Sequence, residues 1–179
     1  MKNSPLRVLF VCTANICRSA YADVRSSELL ATPDTPGRLD VSSAGTMGFD
    51  AAPIDPPMAE QLWSRGVDPS WFRSRRLNAD MLDDAHLILT ATALHRSFIL
   101  DERPTAFRRT FTLGQFAEGI GRVDAGLQGE ALIEAVRGAR VPARHGSDVA
   151  DPYGRGDAAA AACAQQIDEL LDIVIPRLL

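Results

Sequence analysis

The strongest constraint on the fold lies near the start of the chain, where a strand-length apolar run passes without a linker into a spaced cysteine and arginine. Leu6-Arg7-Val8-Leu9-Phe10-Val11 is nearly continuous in β-forming residues, as a strand buried on both faces requires. Cys12-Thr13-Ala14-Asn15-Ile16-Cys17-Arg18-Ser19 follows at once. From Ser19 the spacing turns helical, with Ala20, Tyr21, Val24, Leu29 and Leu30 apolar, Asp23, Arg25 and Glu28 between them, and Pro33 as the stop. A strand, a tight loop and a helix in succession turn the loop amides inward and aim a helix N-terminus at their centre. That is a cradle for one tetrahedral oxyanion.

The residue types in the loop suit phosphoryl chemistry. The Arg18 guanidinium can give two parallel hydrogen bonds to two anion oxygens, which a lysine cannot do in a fixed plane. Cys12 is expected at the bottom of the cradle, where the helix dipole, the loop amides and Arg18 all favour a thiolate nucleophile. Ser19 can donate its hydroxyl to the Cys12 sulfur, and Asn15 can hold the loop because asparagine tolerates left-handed backbone. Thr13, Ala14, Ile16 and Cys17 complete the candidate anion-binding loop. The Gly-Lys-Ser/Thr signature of a nucleotide-binding loop is absent, and the cradle calls for no metal and no cofactor. A cysteine and arginine at this spacing also occur in ordinary turns with small buried thiols. The position between strand and helix, with serine after arginine, favours the catalytic reading. The reaction also needs a proton donor for the leaving oxygen. Asp151-Pro152-Tyr153 is the candidate, with Tyr153 as a flat wall, although Asp34, Asp55 and Asp101 also lie near prolines.

Further strands are expected at Leu39 to Ser43, His86 to Thr90 and Phe107 to Leu113. Helices are expected at Pro57 to Arg65, Thr92 to Leu100, Gln115 to Ile120, Leu127 to Arg137 and Asp157 to Arg177. Gly138 to Gly146 reads as a polar, flexible segment. Strands alternating with helices point to an α/β fold with a parallel sheet covered on both faces. With 179 residues, one domain spanning 1–179 is expected. The three cysteines, Cys12, Cys17 and Cys163, cannot all pair, which argues for a reducing, cytoplasmic setting. No run approaches the ~20 apolar residues of a membrane span. A net charge of −4 gives no reason to expect nucleic acid or anionic lipid as partner. His86 and His95 read as structural or surface residues.

These stretches, in order, resemble the low-molecular-weight protein tyrosine phosphatases. The matching residues are Val8 to Cys12, Asn15 to Ser19, Ser43-Ala44-Gly45-Thr46, Asp84 to Leu89 and Asp151-Pro152-Tyr153. The resemblance implies a three-layer, four-stranded parallel sheet flanked by helices and a two-step reaction through a phosphocysteine. It implies Cys12 as nucleophile, Arg18 as phosphate clamp, Asn15 and Ser19 as supports, and Asp151 as acid and then base. It also implies a phosphotyrosyl protein as partner, a tyrosine kinase among the candidates, and a monomer or weak dimer. The chain departs from the family pattern at Ala14, Ala20 and Asp23, where glycine, proline and glutamate are usual. Phe49 and then Asp50 stand where a tryptophan or tyrosine commonly faces the substrate ring, and Gly154 replaces a second aromatic. Cys17 reads either as a redox guard of Cys12 or as a packed core thiol, and Cys163 as a packed helix residue.

Two other functions fit parts of the pattern. An arsenate reductase would use the same cradle, but a disulfide relay needs cysteines downstream of the third strand, and none lies between Cys17 and Cys163. A thiol-cofactor-dependent reductase escapes that objection. A non-catalytic phosphate-reading module would have no need of Asp151.

Overall fold

The computed structural model describes residues 4–31, 37–139 and 141–179. The first strand, β1, runs Leu6–Cys12 and is buried along almost its whole length. It passes through a loop into helix α1, Arg18–Leu30. Pro33, the expected helix stop, and Asp34 lie outside the described residues. β2 is Leu39–Gly45, β3 is Leu87–Thr90 and β4 is Thr110–Thr112. The sheet is parallel in the order β2-β1-β3-β4, with Cys12 level with Gly45 and Val11 level with Thr90. β1 is thus central, and the loop that leaves its C-terminal end opens where ligands bind in open α/β sheets.

Alternation along β1 sends its side chains into two cores. Leu6, Val8, Phe10 and Cys12 join the larger core, shared with α1, with α2 (Pro56–Trp63), and with α5, α6 and α7 (Leu113–Ile120, Gly129–Gly138 and Asp157–Leu178). Leu9 and Val11 join the smaller core beneath α3 and α4, Ala79–Asp84 and Ala93–Glu102. Helices therefore cover both faces of the sheet. No helix among the described residues is long and apolar enough to cross a membrane.

Several expected boundaries move. β2 extends two residues past Ser43, because its last residues pair with the end of β1. His86 precedes β3, and its Nδ1 accepts the Arg7 amide at 2.9 Å. The expected fourth strand shrinks to three residues. Phe107 lies in a 3-10 turn, Pro104–Arg109, and is exposed, while Thr112 caps α5 through a reciprocal pair with Gln115. The last helix of the apolar pattern before the polar segment begins at Gly129 rather than Leu127. Within the segment expected to be flexible, Val141 is buried and its carbonyl accepts Gln115 Nε2 at 2.6 Å. Helix α3 was not expected at all. It is short, and Asn78 caps it by accepting the Met81 amide.

Candidate active site

The loop between β1 and α1 is held from below by side-chain hydrogen bonds. Asn15 is fully buried and sits at φ +55°, left-handed backbone that asparagine adopts more readily than most residues. Ala14 in the family's glycine position has no positive φ. Asn15 Nδ2 donates to Ser19 Oγ and to Ser43 Oγ, both at 2.9 Å, and its Oδ1 accepts the Arg75 amide at 2.8 Å. Ser43 Oγ in turn donates to Asp23 Oδ2 at 2.7 Å. Ser19 Oγ receives from Asn15 and lies 3.0 Å from Cys12 Sγ, but 3.4 Å from the Ala44 carbonyl. A chain of bonds therefore runs from Asp23 to the Cys12 sulfur. Burial raises the Asp23 carboxyl to a pKa of about 6.

Gly45 is the close approach that lets β2 nest under the loop. A Cβ there would stand 2.6 Å from the Thr13 carbonyl oxygen and 2.9 Å from the Asn15 amide nitrogen, so no side chain fits without moving backbone. The Thr46 and Met47 amides donate to the Cys12 and Thr13 carbonyls, each at 2.9 Å. On the other side, Thr13 Oγ1 lies 2.8 Å from His95 Nε2, and His95 Nδ1 lies 2.8 Å from Thr92 Oγ1. Burial, and then the Arg18 charge, push the His95 pKa down to about 4, so the ring is neutral at ordinary pH. One ring nitrogen then donates and the other accepts.

Arg18, only 6% exposed, is the first residue of α1. Its Nη1 donates to the Val149 carbonyl at 3.2 Å and its Nη2 lies 3.1 Å from Asp151 Oδ2. Its Nε is buried with no partner among the described residues. The 148–151 segment is tied back to the sheet. The Val149 amide donates to the Ala91 carbonyl at 2.8 Å, and Asp148 Oδ1 accepts the Ala93 amide at 2.9 Å.

The site opens as a cavity of about 190 Å³ that brings Cys12, Arg18 and Asp151 together with Ile16, Phe49 and Tyr153. Thr13, Ala14 and Cys17 also line it, whereas Asn15 and Ser19 lie beneath as supports. Of the other acids near prolines, Asp101 is exposed on α4 and does not line the cavity. Asp55 sits behind the loop, its amide bonded to the Ile16 carbonyl at 2.9 Å. Burial, with Asp55 and Cys12 adding, raises the Cys17 pKa far above its ordinary value, and burial pushes Cys163 up to about 12. Both remain thiols at neutral pH. Phe49 and Tyr153 are 65% and 61% exposed. Phe49 is placed by its backbone, since its carbonyl accepts Ser74 Oγ and the next residue, Asp50, accepts the Arg76 amide at 3.1 Å.

Sequence reasoning missed four contributors: Ser43, Arg75, Gly45 and His95. The Ser43-Ala44-Gly45-Thr46 stretch was visible as a motif, but its contact with the loop was not. His95 carried no signal, because a single histidine on a helix does not reveal which face it occupies.

One cavity thus brings together a buried arginine at a helix N-terminus, a cysteine of the loop before it and a carboxyl group facing them. The chain belongs to the family described as low molecular weight phosphotyrosine protein phosphatase, whose profile matches residues 7–129. Asp151-Pro152-Tyr153 lies beyond that match. A protein-arginine-phosphatase of Geobacillus stearothermophilus is 28% identical over 97% of this chain and 97% of its own length. The low molecular weight protein-tyrosine-phosphatase Etp of Escherichia coli is 32% identical over 62% of this chain and 71% of its own. Among solved structures, a low molecular weight protein tyrosine phosphatase from T. tengcongensis superposes with a TM-score of 0.75 at 26% identity, covering 97% of this chain and 99% of that one.

Proposed function

We propose that the protein hydrolyses aryl phosphate monoesters, with phosphotyrosyl protein as substrate, through a phosphocysteine on Cys12. The thiolate attacks phosphorus, the bond from phosphorus to the leaving oxygen breaks, and Asp151 delivers its proton to that oxygen. Water then attacks phosphorus, Asp151 takes its proton, the sulfur–phosphorus bond breaks, and inorganic phosphate leaves. Arg18 and the loop amides hold the equatorial oxygens, where charge is spread in the transition state. Ser19, set by Asn15, donates to sulfur and stabilises it as nucleophile and as leaving group.

The observation that carries this reading is the Arg18 guanidinium, buried with Nε unpartnered while Nη2 holds the Asp151 carboxylate. An orphaned buried donor is costly, and a phosphate oxygen would satisfy it. The setting of Ile16, Phe49 and Tyr153 around the cavity suits a flat aryl group. One domain spanning residues 1–179, a cytoplasmic location, and a phosphorylated protein as partner, such as a tyrosine kinase, belong to the same reading.

The test is hydrolysis of para-nitrophenyl phosphate in chelator. Turnover that disappears in Cys12→Ser supports the mechanism, and normal turnover by that variant overturns it. Because a relative bears the name protein-arginine-phosphatase, phosphotyrosyl and phosphoarginyl peptides should be compared by kcat/KM. A preference for phosphoarginine would overturn the aryl assignment and leave the phosphocysteine in place.

A further inference from the structure

A second cavity, larger than the one over Cys12, opens elsewhere in the protein. It has a volume of about 720 Å³, shares no lining residue with the Cys12 cavity, and lies between α4, the 3-10 turn at Pro104–Arg109, α6 and residues 141–143. That volume falls within the range of small-molecule sites, about 300–1,000 Å³. Arg96, Arg108 and Arg137 line it, and no carboxylate does. Phe107, Phe111 and Val141 line it as well.

We propose that this cavity binds a phosphate monoester carrying a flat ring, a ligand of the nucleoside-monophosphate class. The three guanidiniums are not equivalent. Arg137 is paired with Glu134 on its own helix. Arg96 and Arg108 have no acidic partner among the described residues, which leaves two uncompensated cations for a dianion. Arg96 is held in place rather than waving in solvent. Its Nε donates to the Thr110 carbonyl at 2.9 Å, and its guanidinium carbon lies 5.4 Å from the centre of the Phe107 ring. Burial lowers its pKa from the ordinary arginine value, as expected for a cation kept from water without a counter-charge. A guanidinium stacked on a ring keeps its in-plane Nη edge free, and that edge matches two oxygens of a phosphate. The exposed Phe107 and the apolar wall of Phe111 and Val141 offer a surface for the ring system.

The wall itself is built, since Gln115 is committed at both ends, its Oε1 accepting the Thr112 amide at 3.1 Å and its Nε2 donating to the Val141 carbonyl. The proposal does not depend on the catalytic reading, because its ligand is held by residues outside the Cys12 cavity.

Adenosine 5′-monophosphate is the probe, titrated into isotope-labelled Cys12→Ser protein, which cannot turn it over, with amide resonances followed one by one. Saturable shifts at Arg108, Gln115 and Val141 are expected, weakened at least tenfold by Arg96→Gln combined with Arg108→Gln. Adenosine without the phosphate should bind at least tenfold more weakly. Arg108→Gln alone, a change at an exposed position, should weaken binding and leave para-nitrophenyl phosphate turnover unchanged in the otherwise native enzyme. Shifts confined to residues 13–19 would overturn the proposal, as would binding indifferent to the arginine substitutions or adenosine binding as tightly as the nucleotide.

Discussion

The floor and the rim of the Cys12 cavity are built on different terms. Beneath the loop, Asn15, Ser19 and Ser43 are buried, each bonded to more than one partner, and the chain of bonds ends on a carboxyl group with little access to water. At the rim, Phe49 and Tyr153 are exposed and are placed by their backbones rather than by packing of their rings. A satisfied buried network fixes one geometry, since each lost partner leaves a polar group stranded. An exposed ring can be exchanged at little cost. The contrast separates a fixed part of the site from an exchangeable one, and on the proposed function the first would hold phosphate and the second would choose what it is attached to.

The sharpest way to test that division is the residue that belongs to both parts. Asp151 hangs from the rim but meets Arg18 of the floor. Asp151→Asn should lower kcat by about 10²- to 10⁴-fold, the usual contribution of a general acid, with little change in melting temperature. Steady-state kinetics beside a thermal melt checks this, and a kcat within threefold of native would remove Asp151 from the mechanism. Next comes the floor. Asn15→Ala removes one partner each from Ser19 and Ser43, strands the Arg75 amide and puts alanine at positive φ, for a loss of about 2–4 kcal/mol of stability. Urea unfolding measures it, and a loss below 0.5 kcal/mol would mean the network is not what holds the loop.

The third test uses pH. Asp23 titrates near 6 when folded, against an ordinary value of 3.8, so the folded protein keeps a proton that the unfolded chain has lost between those limits. Its contribution to stability is whole below pH 3.8 and is lost as pH rises through 6, by about 3 kcal/mol. Native protein should therefore lose stability relative to Asp23→Asn across that window and run parallel to it above. His95, neutral down to about 4 when folded, gives the opposite slope between about 4 and 6.5, but it does so in both proteins and cancels in the difference. A flat difference in urea midpoints from pH 4 to 7 would refute the assignment. The smallest effect belongs to the rim. Phe49→Ala should raise KM for an aryl phosphate about 2- to 12-fold, the worth of one ring contact, and leave kcat and stability nearly unchanged. A fall in kcat instead would place Phe49 with the floor.

The same division explains what the sequence made legible. The core strand, the loop and α1 are contiguous, and their signals are local: a continuous apolar run, a cysteine and an arginine at a set spacing, then a 3.6-residue period. The parallel sheet followed from the alternation of strands and helices. What stayed hidden depends on contacts between distant segments. Gly45 was legible as part of a motif but its role was not, because the Thr13 carbonyl that forbids a side chain there is visible only after β2 has paired with β1. The fourth strand was drawn too long because Phe107 and Phe111 share a β-like composition. The capping pair of Thr112 and Gln115 was present in the sequence and, weighed against that composition, would have ended the strand where it ends. Helix α3 is six residues long, too short to show a period, and only its Asn78 cap announced it.

The contact between Arg18 and Asp151 means that the site carries its own competitor for an anion. On the proposed mechanism an incoming phosphate takes the unpartnered Nε of Arg18 and also displaces the Asp151 carboxylate from Nη2. On the proposed mechanism the carboxylate, once parted from the cation, takes up a proton from water and so stands as the acid when a leaving group arrives. When inorganic phosphate is the last occupant, Asp151 holds the proton it took from water, and on releasing it the carboxylate can take the arginine back, which helps to clear the site for the next turnover.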